Sequence, residues 1–170
     1  MDEHPRRPAD NWQANGPATM THRLLPAGDY GFDATQTGDR IETGAQTVTA
    51  QMIDRFADLT GDRFEIHMSE SVARRHGFAG RVAHGLLVLS LIDGLKNQTP
   101  AQFRAVASLG WDWHFRLPVL AGDTIRASLT VAERRAVQKP DRGILALDVE
   151  VWNQNGGLVQ SGRNLLMVYR

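Results

Sequence analysis

The run RVAHGLLVLSLIDGL, Arg81 to Leu95, sets the terms for the whole fold. From Leu86 to Leu95 almost every face is apolar, so a helix opening at His84 and Gly85 has to be buried on nearly all sides. The run is far too short to cross a bilayer, so that burial must come from the rest of the chain. After Pro100 the texture changes to long strands. In DTIRASLTVAERRAV, Ile125, Ala127, Leu129 and Val131 alternate with polar residues. In GILALDVEVWNQ, Leu145, Leu147, Val149 and Val151 stand opposite Asp148 and Glu150. RAVASLGWDWHFRLPV precedes these strands and GLVQSGRNLLMVYR closes the chain, with Asn155-Gly156 as a hairpin signal between the last pair. Period two over consecutive strands describes an antiparallel sheet with one buried face. A long, curved antiparallel sheet around one central buried helix satisfies both demands, in the α+β class.

Upstream, residues 1–28 are rich in Pro, Asn, Arg and Ala and show no period. They read as a mobile arm with a short ordered piece near its end. Residues 29–170 read as a single domain whose ordered part starts near Arg40. IETGAQTV has a weak strand pattern. TAQMIDRFADLTG is helical, with Met52, Ile53, Phe56 and Leu59 at helical spacing, Thr49 as cap and Gly61 as stop. A loop from Asp62 to His67 follows. SESVARRHG then reads as a short helix with Ser69 as N-cap, Glu70 in the first turn and Gly77 past the end.

Composition narrows the possible functions. Lys plus Arg equals Asp plus Glu at 19 each, which leaves no bulk charge for gripping nucleic acid. There is no cysteine, so disulfides, thiol nucleophiles and thiolate metal sites are excluded. His4, His22, His76, His84 and His114 are scattered without metal-ligand spacing, and no metal is expected. The N-terminus has no apolar core of a signal peptide, and a cytoplasmic chain that engages no membrane is the expectation.

Three places invite chemistry, and each also has an ordinary reading. Asp62 and His67, five residues apart between helices, would trade protons near neutral pH if they faced one cleft. Otherwise Asp62 caps a turn and His67 is structural. Gly85 at the start of a buried helix lets a ligand oxygen approach unpartnered N–H groups, or simply permits close packing. Asp93, between Ile92 and Gly94, sits at an exposed helix end or faces a pocket with a partner.

Together these pieces resemble the MaoC-like dehydratases, which include the (R)-specific enoyl-CoA hydratases of the hotdog fold. The family pattern F-A-x-L-(S/T)-G-D stands here as FADLTGD, N-P-(L/I)-H as FEIH, and (I/V)-x-H-G-(M/L)-L as VAHGLL. F-x-x-P-V-x-x-G-D-x-(I/L/V) stands as FRLPVLAGDTI. The likeness runs in order over roughly residues 40–170. It implies a hotdog fold in which Asp62 and His67 hold and activate one water and the Gly85 N–H receives the thioester oxygen. The implied reaction is hydration of a 2-enoyl thioester to a 3-hydroxyacyl thioester, or the reverse. No separate cofactor is implied, CoA being part of the substrate. The implied partners are an acyl-CoA or acyl-carrier thioester and a second copy, as a homodimer or dimer of dimers.

Two positions depart from the pattern. Phe64-Glu65 replaces Asn-Pro, which frees a φ angle and adds an ionisable group. Asp93 stands where hydratases of the family often carry a pocket serine, eight residues after the helix glycine. Phe64, Glu65, His84 and Asp93 are accordingly candidate substrate contacts. Two other readings remain open: an acyl-CoA thioesterase using Glu65 or Asp93 as base, and a non-catalytic hotdog subunit or acyl-binding protein.

Overall fold

A computed structural model describes residues 22–170. In chain order the elements are β1 (Arg23–Leu24), β2 (Gly28–Tyr30), β3 (Asp39–Glu42), β4 (Gln46–Thr47), α1 (Ala50–Thr60), α2 (Glu65–Met68), α3 (Glu70–Arg75) and α4 (Gly85–Lys96), then β5 (Ala101–Phe103), β6 (Ala105–Phe115), β7 (Thr124–Ala136), β8 (Arg142–Asn153) and β9 (Leu158–Tyr169). The main sheet runs β1-β3-β7-β8-β9-β6, with β4 also on β7, and β2 and β5 form a separate parallel pair. Strands β7, β8, β9 and β6 pair antiparallel along their length.

The sheet curls around α4. Ile125, Ala127, Leu129 and Val131 of β7 and Leu145, Leu147, Val149 and Val151 of β8 face inward and are buried. They pack with Leu87, Val88, Ile92 and Leu95 of the helix in one cluster. Burying a side chain of this size stabilises by roughly 1.5–3 kcal/mol. This is the hotdog architecture that the sequence likeness implies.

Local signals set several boundaries. The Thr49 hydroxyl accepts the Met52 N–H at the start of α1, and Gly61 stops the helix at φ +78°. The Ser69 hydroxyl caps α3. Between β8 and β9, Gly156 takes φ +76°, while the Asn153 side chain accepts the N–H groups of Asn155 and Gly157.

Other expectations need correction. The sheet begins well before Arg40: β1 lies beside β3, β2 beside β5, and Leu25 and Phe32 are in the core. Residues 22–28 supply the short ordered piece expected near the end of the arm, and residues 1–21 lie outside the described residues. IETGAQTV divides into β3 and β4, since the Thr43 N–H and hydroxyl both bond to Ala127 across the break. His67 stands on a single helical turn, α2, rather than in a loop. Leu59 points to solvent. Helix α4 is not enclosed on nearly all sides: Leu86, Ser90 and Gly94 leave one open stripe in the single chain.

Candidate active site

The extended segment Arg81–Ala83, just ahead of α4, brings the parts of the site together. On one side the Ala83 N–H donates to Val119 O (2.7 Å) and the Ala121 N–H to Arg81 O (2.9 Å). On the other, the Val82 N–H donates to Ile66 O (3.1 Å) and the His67 ring donates from Nδ1 to Val82 O (2.8 Å). The Arg81 guanidinium also bonds His67 O and the Asp54 carboxylate, tying α2 to α1. The FADLTGD, FEIH, VAHGLL and FRLPV stretches thus meet around one cleft of about 510 Å³.

A carbonyl only accepts, so His67 carries its proton on Nδ1 and keeps a lone pair on Nε2. One carboxylate oxygen of Asp62 and one ring nitrogen each of His67 and His84 lie within 4.8 Å of one another. Asp62 folds into a local turn in which Oδ1 accepts the Phe64 N–H at 3.2 Å. Burial is the main cause that pulls the His67 pKa below the usual 6.5, with His84 and Arg81 adding to it. The bond to Val82 and the nearby Asp62 pull the other way. At neutral pH His67 is therefore a neutral imidazole with a free lone pair, the form a general base requires.

Helix α4 opens into the same cleft. Its first backbone bond runs from Val88 N to His84 O, and no side chain caps it. The N–H groups of Gly85, Leu86 and Leu87 therefore have no partner within the helix, and the positive end of its dipole lies there. The Phe115 ring seats directly on Gly85: a Cβ built there would lie 2.6 Å from two ring carbons. Phe56, Phe78, Val88, Leu117 and Val119 complete a mostly apolar wall.

A model of the MaoC like domain matches residues 33–153. The chain belongs to the MaoC-like domain family. Protein MaoC of Klebsiella aerogenes is 35% identical over 117 residues, 68% of this chain. That match spans only 34% of the Klebsiella protein, so the chain corresponds to about a third of that relative. The (R)-specific enoyl-CoA hydratase of Aeromonas caviae is 30% identical over 113 residues, 66% of this chain and 81% of the hydratase. Among solved structures, the monoamine oxidase regulatory protein of Archaeoglobus fulgidus superposes with a TM-score of 0.77. It is 32% identical, covering 86% of this chain and 99% of the other.

In this MaoC-like chain the cleft gathers Asp62, His67, His84 and Gly85 but not the other three candidates. Phe64 is exposed and presents an edge to the His67 ring from 6.1 Å. Glu65 turns outward to His76 at 2.7 Å. Asp93 bonds Lys96 at 2.6 Å and does not line the cleft. The Phe64-Glu65 departure now has a local meaning: Phe64 occupies the N-cap of α2 and Glu65 its first position, where Asn and Pro are both favoured. Glu65 offsets part of that loss by placing an acid in the first turn.

Gln160 was not singled out from the sequence, yet it is 2% exposed and lines the cleft. It accepts from Trp113 Nε1 (2.9 Å) and donates to Gly85 O (3.0 Å), linking β6, β9 and the start of α4. Arg116, also at the cleft, donates to the Ser161 hydroxyl. Asp62, His67 and His84 are the cluster among the described residues whose donors could hold a metal ion. Each imidazole already spends one nitrogen on a carbonyl, His67 on Val82 and His84 on Asp62.

Proposed function

We propose that the chain hydrates a 2-enoyl thioester of CoA to the 3-hydroxyacyl thioester, or runs the reverse dehydration. The observation that carries this is the meeting of the Asp62 carboxylate and a ring nitrogen of His67 within 4.8 Å, beside the unpartnered N–H groups that open α4. One water making two hydrogen bonds of about 2.8 Å at a tetrahedral angle spans about 4.5 Å between its partners, so the pair fits a single water.

His67 Nε2 takes a proton from that water as its oxygen bonds to C3. The C2=C3 electron pair moves between C1 and C2, and the thioester carbonyl pair moves onto oxygen. The Gly85 N–H and the helix dipole stabilise the resulting enolate. The imidazolium then returns a proton to C2, which completes the addition of water. Proton transfer of this kind contributes about 10²- to 10⁴-fold in rate. Phe56, Phe78, Val88 and Leu117 suit an acyl chain rather than a polar group. Glu65 and Asp93, the bases a thioesterase would use, both bond other groups away from the cleft.

A homodimer fits the same reading. Strand β6 is the sheet edge, eleven residues long and, among the described residues, unpaired on one side, with Leu109 exposed. A long apolar edge is a pairing template, and a second copy would cover it.

The test is loss of enoyl-thioester absorbance with a short-chain 2-enoyl-CoA, run beside a thiol-release assay. Absorbance should fall without thiol release. Asp62→Asn and His67→Gln should each lower kcat at least about 100-fold with an unchanged melting temperature. Thiol release, or silence over several chain lengths, would refute the hydratase reading.

A further inference from the structure

We propose that His84 is the positioning residue of this site: it holds the Asp62 main chain and underlies the His67 ring, so that the carboxylate and the free His67 nitrogen address one point in the cleft. Its kinetic consequences rest on the hydratase reading above, but its geometry does not.

His84 is 2% exposed, and its Nε2 lies 2.8 Å from Asp62 O. The carbonyl only accepts, so the proton sits on Nε2. Nδ1 is buried and has no hydrogen-bond partner among the described residues. The two imidazoles are thus opposite tautomers, His67 with Nδ1–H and His84 with Nε2–H. Their rings lie 3.9 Å apart at 30°, and Phe56 backs His84 at 5.0 Å. The His67 ring is held by Val82 O at one nitrogen and by this stack on one face.

The position of His84 in the helix adds a second consequence. It is the N-cap residue of α4, where a side chain ordinarily accepts a first-turn N–H. Here the ring turns away to Asp62 and caps nothing. One side chain therefore fixes the acid–base pair and leaves the helix N–H groups open to the thioester oxygen.

Among the described residues, the charged and titratable groups around His67 are few. Asp62 faces it from the loop after α1, Arg81 from the segment before α4, and His84 from the helix cap. Asp62 favours the protonated ring, whereas Arg81 and His84 oppose it. Replacing His84 should therefore move the acid limb of the pH profile as well as the rate, which a residue that merely fills space would not do.

Two variants separate the two contacts. His84→Phe keeps a ring under His67 and loses the donor to Asp62 O. It should lower kcat about 10- to 100-fold with KM within about twofold, as expected for a displaced catalytic group. His84→Gln keeps a donor and loses the ring. It should retain more of kcat while the acid limb of kcat/KM rises toward 6.5. NMR of the imidazole nitrogens reads the tautomers and the His67 midpoint without any turnover, in the wild type and in either variant that folds.

Opposite tautomers in the wild type, with a His67 midpoint that rises in His84→Gln, uphold the proposal even if no enoyl thioester is hydrated. The hydratase reading alone would then fall. Any other tautomer pair overturns the proposal. So do folded variants with wild-type kcat, KM and pH profile, and so does a raised KM at unchanged kcat, which would make His84 a substrate contact.

Discussion

Adding a single methyl group at Gly85 tests the placement of the thioester oxygen at the start of α4. The new Cβ would lie 2.6 Å from Cε1 and Cζ of Phe115 and 2.9 Å from Cε2. Carbon atoms in contact rest about 3.5–4.0 Å apart, so the ring must retreat by about 1 Å or more. Were the ring locked in a core, this overpacking would cost about 1–3 kcal/mol. Phe115 is 60% exposed, however, and can swing into solvent. Gly85→Ala should therefore cost at most about 1 kcal/mol, roughly 2–4 °C in Tm for a chain of this size. The effect should appear in catalysis. The methyl group and the displaced ring both crowd the approach to the unpartnered N–H groups, where losing one oxyanion donor costs about 10²- to 10³-fold. We expect kcat/KM to fall about 100-fold in the enoyl-thioester absorbance assay. Gly85→Ala with Phe115→Ala should recover part of the loss, since the ring no longer needs the space. Wild-type kcat/KM in Gly85→Ala would refute the placement of the oxyanion. A Tm drop beyond about 8 °C would refute the freedom assigned to Phe115.

The same structure sets other outcomes. Since burial lowers the His67 pKa, the acid limb of kcat/KM should fall below pH 6.5, with activity lost as pH drops through the folded value. Between that value and 6.5 the unfolded chain binds more protons than the folded one. Stability contributed by this group should therefore be present above pH 6.5 and lost as pH falls, which melting scans across pH 5–7.5 would check. Gly162→Ala places a Cβ 2.1 Å from Asp112 O and 2.6 Å from the Trp113 ring, between paired strands that cannot separate cheaply. It should cost about 3 kcal/mol and lower Tm by about 6–12 °C, and an unchanged Tm would contradict the packing of β9 on β6. Sedimentation should give about twice the 18.8 kDa chain mass, and Leu109→Lys on the exposed edge should shift it toward one chain. A wild-type chain that stays single at tens of micromolar would sink the dimer.

Much of the fold was legible because it is written in local preference. Thr49 and Gly61 bound α1 through capping and a left-handed φ, and both depend on neighbours within a few positions. The alternation of Ile125, Ala127, Leu129 and Val131 states which face of β7 is buried whatever lies opposite. Asp62, His67 and Gly85 could be picked out, through their likeness to a family pattern, before their meeting could be seen. The start of the ordered part was placed too late, near Arg40, because β1 and β2 are two and three residues long. Strands that short have no readable period and exist only through parallel pairing with β3 and β5. The open stripe of α4 was hidden for another reason: Leu86 and Leu87 are chemically alike, yet one is exposed and the other buried.

The sequence alone thus determined the buried helix, the alternating strands around it, and the residue types that can move a proton and stabilise an oxyanion. Only the tertiary structure decided which of them lie together. His84 reaches the Asp62 carbonyl across 22 positions, and Gln160 reaches Gly85 across 75. Glu65 and Asp93, conspicuous in sequence, turn to His76 and Lys96 instead. Helix caps and strand periods are short-range preferences that each segment carries by itself. A hydrogen bond between distant side chains exists only once the sheet has closed around the helix, so no periodicity records it.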